Sequence, residues 1–206
     1  MTKKKNSEFN LVRVFAAGLA LIILLAGGLY YRRYAANEAL LRQEQEQKEA
    51  ALRSRENFIK TVAPLAQKAA KPYGLFPSVT IAQACLESNY GQSALARQYN
   101  NLFGVKGSDP NTTKLLSTKE YENGRWVEVT GRFQVYDSYS SAIQAHAQLL
   151  ANGTSWNRSQ YQHVLQAKTW RQQAQALYRD GYATDPNYPA KLIDLIEQYH
   201  LDKYDN

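Results

Sequence analysis

Hydrophobic and polar positions change rhythm along this chain, and each change predicts a different element. From Val14 to Tyr31, VFAAGLALIILLAGGLYY, the sequence is uncharged and almost wholly apolar, at the short end of what crosses a bilayer as a helix. Residues 35–57 are rich in Ala, Glu, Gln, Lys and Arg and hold no Gly or Pro, which predicts an exposed helical stalk. From Phe58 onward apolar side chains recur at helical spacing. Phe58, Ile59, Val62, Leu65, Ala66 and Ala69 predict a helix ending near Tyr73-Gly74. A second starts at Pro77-Ser78, turns Val79, Ala82, Leu86 and Tyr90 to the core, and stops at Gly91. A short third covers Ser93–Tyr99.

Beyond Gly104 the period falls to two. Lys114–Tyr121 and Trp126–Tyr136 predict strands joined at Glu122-Asn123-Gly124, a strong hairpin signal. Helical spacing returns at Tyr139–Leu150, Tyr161–Ala167, Trp170–Tyr178 and Pro189–Tyr199. The fold class expected is α+β, mostly helical with one small β-hairpin lobe, preceded by a single transmembrane helix. The divisions are 1–34 (cytoplasmic N-terminus and anchor), 35–57 (charged stalk) and 58–206 (globular domain).

Flanking residues support the anchor. Tyr30, Tyr31 and Tyr34 suit an interfacial belt, Arg13, Arg32 and Arg33 can snorkel, and Lys3, Lys4 and Lys5 favour a cytoplasmic N-terminus. A signal peptide cut near Ala26-Gly27-Gly28 is the alternative, opposed by the bulky Leu29-Tyr30-Tyr31. An uncleaved, single-pass anchor would hold the domain outside the cell. Of the net charge of +7, residues 1–57 hold 10 basic and 6 acidic side chains, which leaves +3 on the domain. That is too diffuse for a nucleic-acid footprint. The single cysteine, Cys85, allows no intrachain disulfide and reads as a buried structural residue.

Chemistry centres on Glu87. It falls in the last turn of a largely apolar helix, where desolvation and the helix dipole both disfavour its charge. A carboxyl kept protonated near neutral pH is what a general acid requires. Glu120, on a strand near the hairpin turn, offers a second carboxylate. Glu122 shares its sheet face, so spacing alone does not choose between them. Two carboxylates facing a cleft are the equipment of glycoside hydrolysis. Aromatic rings, among them Tyr90, Phe103, Tyr136, Trp156 and Trp170, suit sugar faces, although most aromatics are core. Asn101 reads as an N-acetyl partner or a turn residue, and Asp185 as the start of a turn. His146 falls on a core-facing helix stripe, where a hydrogen-bonded core histidine is expected. With three histidines and no clustered Cys/His, no metal site is expected.

Four ordered stretches carry a resemblance: LESNYGQS, NNLFGVKG, TKEYENGRW with RFQVYDSYSSAIQAHAQLL, and GYATDPNYPAKL. Together they resemble the bacterial peptidoglycan N-acetylglucosaminidases of glycoside hydrolase family 73, the autolysin and flagellar rod-assembly type, over about Phe58 to Tyr199. The resemblance implies a lysozyme-like fold, peptidoglycan glycan strands as substrate, and hydrolysis between N-acetylglucosamine and N-acetylmuramic acid without a cofactor. It implies Glu87 as general acid, Glu120 as second carboxylate, and Tyr182 and Tyr188 beside the acid. Tyr90, Asn101, Phe103, Tyr136 and Asp185 are the expected glycan contacts. Asn89 and Cys85 depart from the family pattern without removing an acid–base group. A lytic transglycosylase, using one glutamate without attacking water, is the alternative enzyme, and a non-catalytic wall-binding module the alternative class. The sequence names no regulatory partner in membrane or wall.

Overall fold

The computed structural model describes the backbone of residues 2–122 and 125–206. The side chains of 2–12, 14, 17, 20–23, 118–122, 125–126 and 129 lie outside that description, as do Met1, Asn123 and Gly124. The chain divides into two compact units, residues 1–53 and 54–206.

The first unit is helical and belongs to α1, which runs Thr2–Ala70. Its described side chains are nearly all exposed. Glu38–Arg42 and Glu49–Arg53 pair one turn apart at 3.2 and 3.4 Å, each worth about 0.3–0.5 kcal/mol on an exposed helix. Among the described residues no helix is long and apolar enough to cross a membrane. Much of the stretch expected to do so, Val14, Ala17 and residues 20–23 included, lies outside the described side chains.

In the second unit the end of α1 buries Phe58, Ile59, Val62, Ala63 and Ala66. A 3₁₀ turn, Lys71–Tyr73, follows, closed by Gly74 at φ 65°. Helix α2, Pro77–Ser88, is the central element: ten of its 12 residues are buried. Proline at its first position is preorganised for a helix start. The orphan N–H groups there are satisfied from far along the chain. Gln173 Oε1 accepts from Phe76 N at 2.9 Å, and Asp205 accepts from Ser78 N and Oγ at 2.8 and 2.7 Å. The helix stops at Asn89, two residues earlier than expected. Asn89, Tyr90 and Gly91 follow one another at φ 49°, 55° and 74°, conformations that suit Asn and Gly better than other residues. A Cβ on Gly91 would also lie 2.8 Å from two ring carbons of Phe58.

Helix α3 (Ala94–Tyr99) is capped by Ser93, whose side chain accepts from Ala96 N. Strands β1 (Thr113–Glu122) and β2 (Arg125–Gln134) form one antiparallel pair, in register from Thr113↔Gln134 to Glu122↔Arg125. The expected turn residues Asn123 and Gly124 lie outside the described residues. The remaining helices are α4 (Tyr139–Asn152), α5 (Gln162–Gln166), α6 (Trp170–Arg179) and α7 (Tyr188–Tyr199), then a 3₁₀ turn at Leu201–Tyr204. Ile81, Leu102, Ile143, Leu177, Leu192 and Ile196 are wholly buried and bind these helices around α2. This is the mostly helical fold with one hairpin that the periodicity predicts.

Candidate active site

A cleft of about 800 Å³ opens beside the end of α2, lined by Glu87, Phe103, Tyr161, Tyr182, Asp185 and Tyr188 among others. Its size falls in the range of ligand sites. The fold brings these side chains together from three places. Glu87 comes from the last turn of α2 and Phe103 from the loop before the hairpin. The third place is the chain beyond α4, where Tyr161 precedes α5, Tyr182 and Asp185 lie between α6 and α7, and Tyr188 opens α7.

Glu87 is held from behind. Tyr188, buried at the first turn of α7, donates its hydroxyl to Glu87 Oε1 at 2.8 Å. Gln83 Nε2 donates to that hydroxyl oxygen at 3.1 Å. A phenol has one hydrogen, so an N–H filling its acceptor side directs that hydrogen to the carboxylate. Gln83 precedes Glu87 by one turn and therefore shares its helix face. That spacing was readable in the sequence, yet nothing local marked a buried glutamine as functional.

Burial raises the Glu87 pKa from 4.5, opposed by the Tyr188 hydrogen bond and the Lys191 charge. By whole-residue area Glu87 is exposed, so the upward direction rests on crowding around its carboxyl, not on full enclosure. Burial also raises the Tyr188 and Tyr182 hydroxyls well above their ordinary 10, with the Glu87 charge adding to it. Both phenols therefore stay protonated donors. Asp185 pairs with Lys191 Nζ at 2.7 Å and accepts from Asn187 N at 2.9 Å, which lowers its pKa.

The predicted residues divide as follows. Glu87, Phe103, Tyr182, Asp185 and Tyr188 line the cleft. Glu120 lies on β1 with Val127 as its cross-strand partner, and its side chain falls outside the described residues. Three expectations need correction. Tyr90 packs on the core, edge-on against Phe58 and Tyr199 with Arg55 over its ring at 4.9 Å, and does not line the cleft. Asn101 is buried and its amide is fully used. It donates to Val105 O and Gln134 O at 2.9 Å each and accepts from Phe103 N and Val105 N. It fastens the hairpin base to the loop carrying Phe103 and has no bond left for a substrate. Tyr136 is half-buried and does not line the cleft.

One of two other residues, His146, departs from its reading. His146 is buried but not hydrogen-bonded: neither ring nitrogen has a partner among the described residues. It stacks on Phe103 at 4.0 Å and meets Tyr182 edge-on at 5.6 Å, so it packs the cleft wall. Burial depresses its pKa to about 3. Cys85 is buried as expected, its thiol pushed up to about 12, and carries no nucleophilic role. Among the described residues no cluster of three His, Cys, Asp or Glu side chains is placed to hold a metal ion.

A family model described as mannosyl-glycoprotein endo-beta-N-acetylglucosaminidase matches residues 63–201. The chain is 43% identical over 148 residues to the exo-glucosaminidase LytG of Bacillus subtilis, covering 72% of this chain and 52% of that protein. It is 39% identical over 212 aligned positions to a probable N-acetylmuramidase of Lactococcus lactis subsp. cremoris, covering 99% and 45%. The chain thus spans about half the length of the curated relatives it matches. Among solved structures, the catalytic domain of the autolysin Auto from Listeria monocytogenes superposes with a TM-score of 0.68 at 36% identity, covering 79% of this chain and 97% of that one. The glycoside hydrolase domain of FlgJ from Salmonella typhimurium gives 0.57 at 36% identity, covering 71% and 97%.

Proposed function

This chain belongs to the glucosaminidase family, the peptidoglycan hydrolases of glycoside hydrolase family 73, and from that premise we propose that it cuts peptidoglycan glycan strands between N-acetylglucosamine and N-acetylmuramic acid. The observation that carries this reading is Glu87 itself. It is a carboxyl with a raised pKa on the wall of a glycan-sized cleft, braced by Tyr188.

Glu87 donates its proton to the glycosidic oxygen as the bond breaks, which relieves the charge on the leaving sugar. Glu120 or the substrate's own acetamido group assists at the anomeric carbon, and water completes the hydrolysis. Tyr182 presents a protonated hydroxyl and ring to the reacting sugar. Tyr188 acts on Glu87, not on the sugar. No step requires a metal or organic cofactor.

The name of the Lactococcus relative favours a second reading, cleavage on the other side of N-acetylmuramic acid. Digestion of purified peptidoglycan, borohydride reduction and mass spectrometry separate them. Reduced N-acetylglucosamine ends within strands support the proposal. Reduced N-acetylmuramic acid ends mean a muramidase, anhydro ends a transglycosylase, and release of terminal sugars alone an exo-acting enzyme.

We also propose that Val14–Tyr31 anchors the protein in the membrane with its domain outside the cell. Its apolar run and the lysines before it support this. Protease accessibility of the domain on intact protoplasts tests it: protection would overturn it.

A further inference from the structure

We propose that Trp156 is a sugar-stacking platform that extends the glycan-binding cleft beyond the reacting bond; the inference rests on the hydrolase reading above. Trp156 is 82% exposed, yet it lines the same cleft as Glu87. Phe103, Tyr161 and Tyr188 on the same cleft wall are buried, whereas the Trp156 indole stays in water and packs no core.

The loop beneath it is built to hold that position. Gly153 ends α4 at φ 69°, and a Cβ there would collide with the carbonyl oxygens of Asn157 and Arg158, so only glycine lets the chain turn so tightly. Thr154 then fastens the turn from within. Its backbone N donates to Asn157 O at 2.9 Å, and its hydroxyl accepts from Asn157 N at 3.1 Å and donates to Gln160 Oε1 at 2.9 Å. Gln160 in turn donates to Asp180 O at 3.4 Å, which ties the loop to the segment leading to Tyr182. A flexible surface loop needs none of this. The wiring prepays the entropy of presenting one flat ring at the cleft mouth.

The occupant that fits is a pyranose ring of the same glycan strand. The platform is continuous with the cleft that holds Glu87, and an amphipathic aromatic face suits the C–H face of a sugar while its edges stay wet. The consequence is selective for length: Trp156 adds to the binding of strands long enough to occupy both the reacting centre and the platform.

The test uses the full chain carrying Glu87→Gln, titrated calorimetrically with peptide-free peptidoglycan glycan strands and with the disaccharide unit. Adding Trp156→Ala should weaken long-strand binding about fivefold to tenfold. Trp156→Phe should recover most of the affinity, and the disaccharide should not distinguish the variants. Unchanged long-strand affinity, absence of strand binding by the parent, or equal loss with Phe and Ala would overturn the platform. Turnover by the unmutated chain is measured separately. Its absence beside Trp156-dependent binding would sink the hydrolase reading and leave the platform standing.

Discussion

The hydroxyl of Tyr188 donates to Glu87 Oε1 at 2.8 Å while its own oxygen receives Gln83 Nε2 at 3.1 Å. The glutamine lies one helical turn before the acid and the tyrosine about a hundred residues after it. This relay stabilises the carboxylate, and burial opposes it. The balance leaves Glu87 above 4.5 but still able to give up its proton.

Tyr188→Phe removes the hydrogen bond that lowers the Glu87 pKa. The alkaline limb of the pH–kcat profile should therefore move to higher pH, and the rate should fall about tenfold or more as the acid loses its orientation. A profile unmoved by the substitution would separate Tyr188 from Glu87.

Gln83→Met is close in volume and removes a buried oxygen, Gln83 Oε1, that has no partner among the described residues. Stability should change by less than about 1 kcal/mol, because the lost bond is offset by relief of that unpartnered group. Activity should nevertheless drop, with a shift of the pH profile in the direction seen for Tyr188→Phe. Chemical denaturation and initial rates on the same preparation check this.

Glu87→Gln should raise the melting temperature at neutral pH. The folded-state pKa lies above the unfolded one, so the native state favours the protonated form. Relative to a neutral side chain, wild-type stability is intact below about 4.5 and declines as pH rises through the folded pKa. Melting curves of both proteins should converge in acid and separate toward pH 7; separation in acid instead would refute the raised pKa.

His146 works in the opposite sense. Its folded pKa of about 3 lies below the ordinary 6.5, so its contribution is complete above 6.5 and is lost as pH falls toward 3. The penalty approaches about 4 kcal/mol at the acid end. His146→Leu should flatten the stability curve over that window, measured by denaturant unfolding from pH 7 to pH 3.5. A parallel curve would mean that the imidazole is hydrated.

Much of this was legible in local pattern. Helical spacing located α2 and the helices after the hairpin, and the period of two located the strands, because those signals come from which face each side chain must bury. Glu87 stood out through its place at the end of an apolar helix. Tyr188 came from a motif resemblance alone, since its partners lie about a hundred residues away. Gln83 was missed because only that distant hydroxyl gives it a role. Tyr90 faces the core as its spacing predicts, and it is the glycan contact that fails, because its ring is taken up by Phe58 and Tyr199. For Asn101 the turn reading held, since Phe103 and Val105 supply three of its four partners locally, and only Gln134 O, 33 residues on, lay beyond what spacing shows. Trp156 stood among other aromatics until exposure set it apart.

The most direct measurement is turnover of purified peptidoglycan by the full chain and by its Glu87→Gln variant, with reduced ends counted by mass spectrometry. The wild-type chain should generate N-acetylglucosamine ends, and the variant should lose about a hundredfold to ten-thousandfold in rate, as expected for removal of a general acid. Equal rates in the two proteins would contradict the account at its centre.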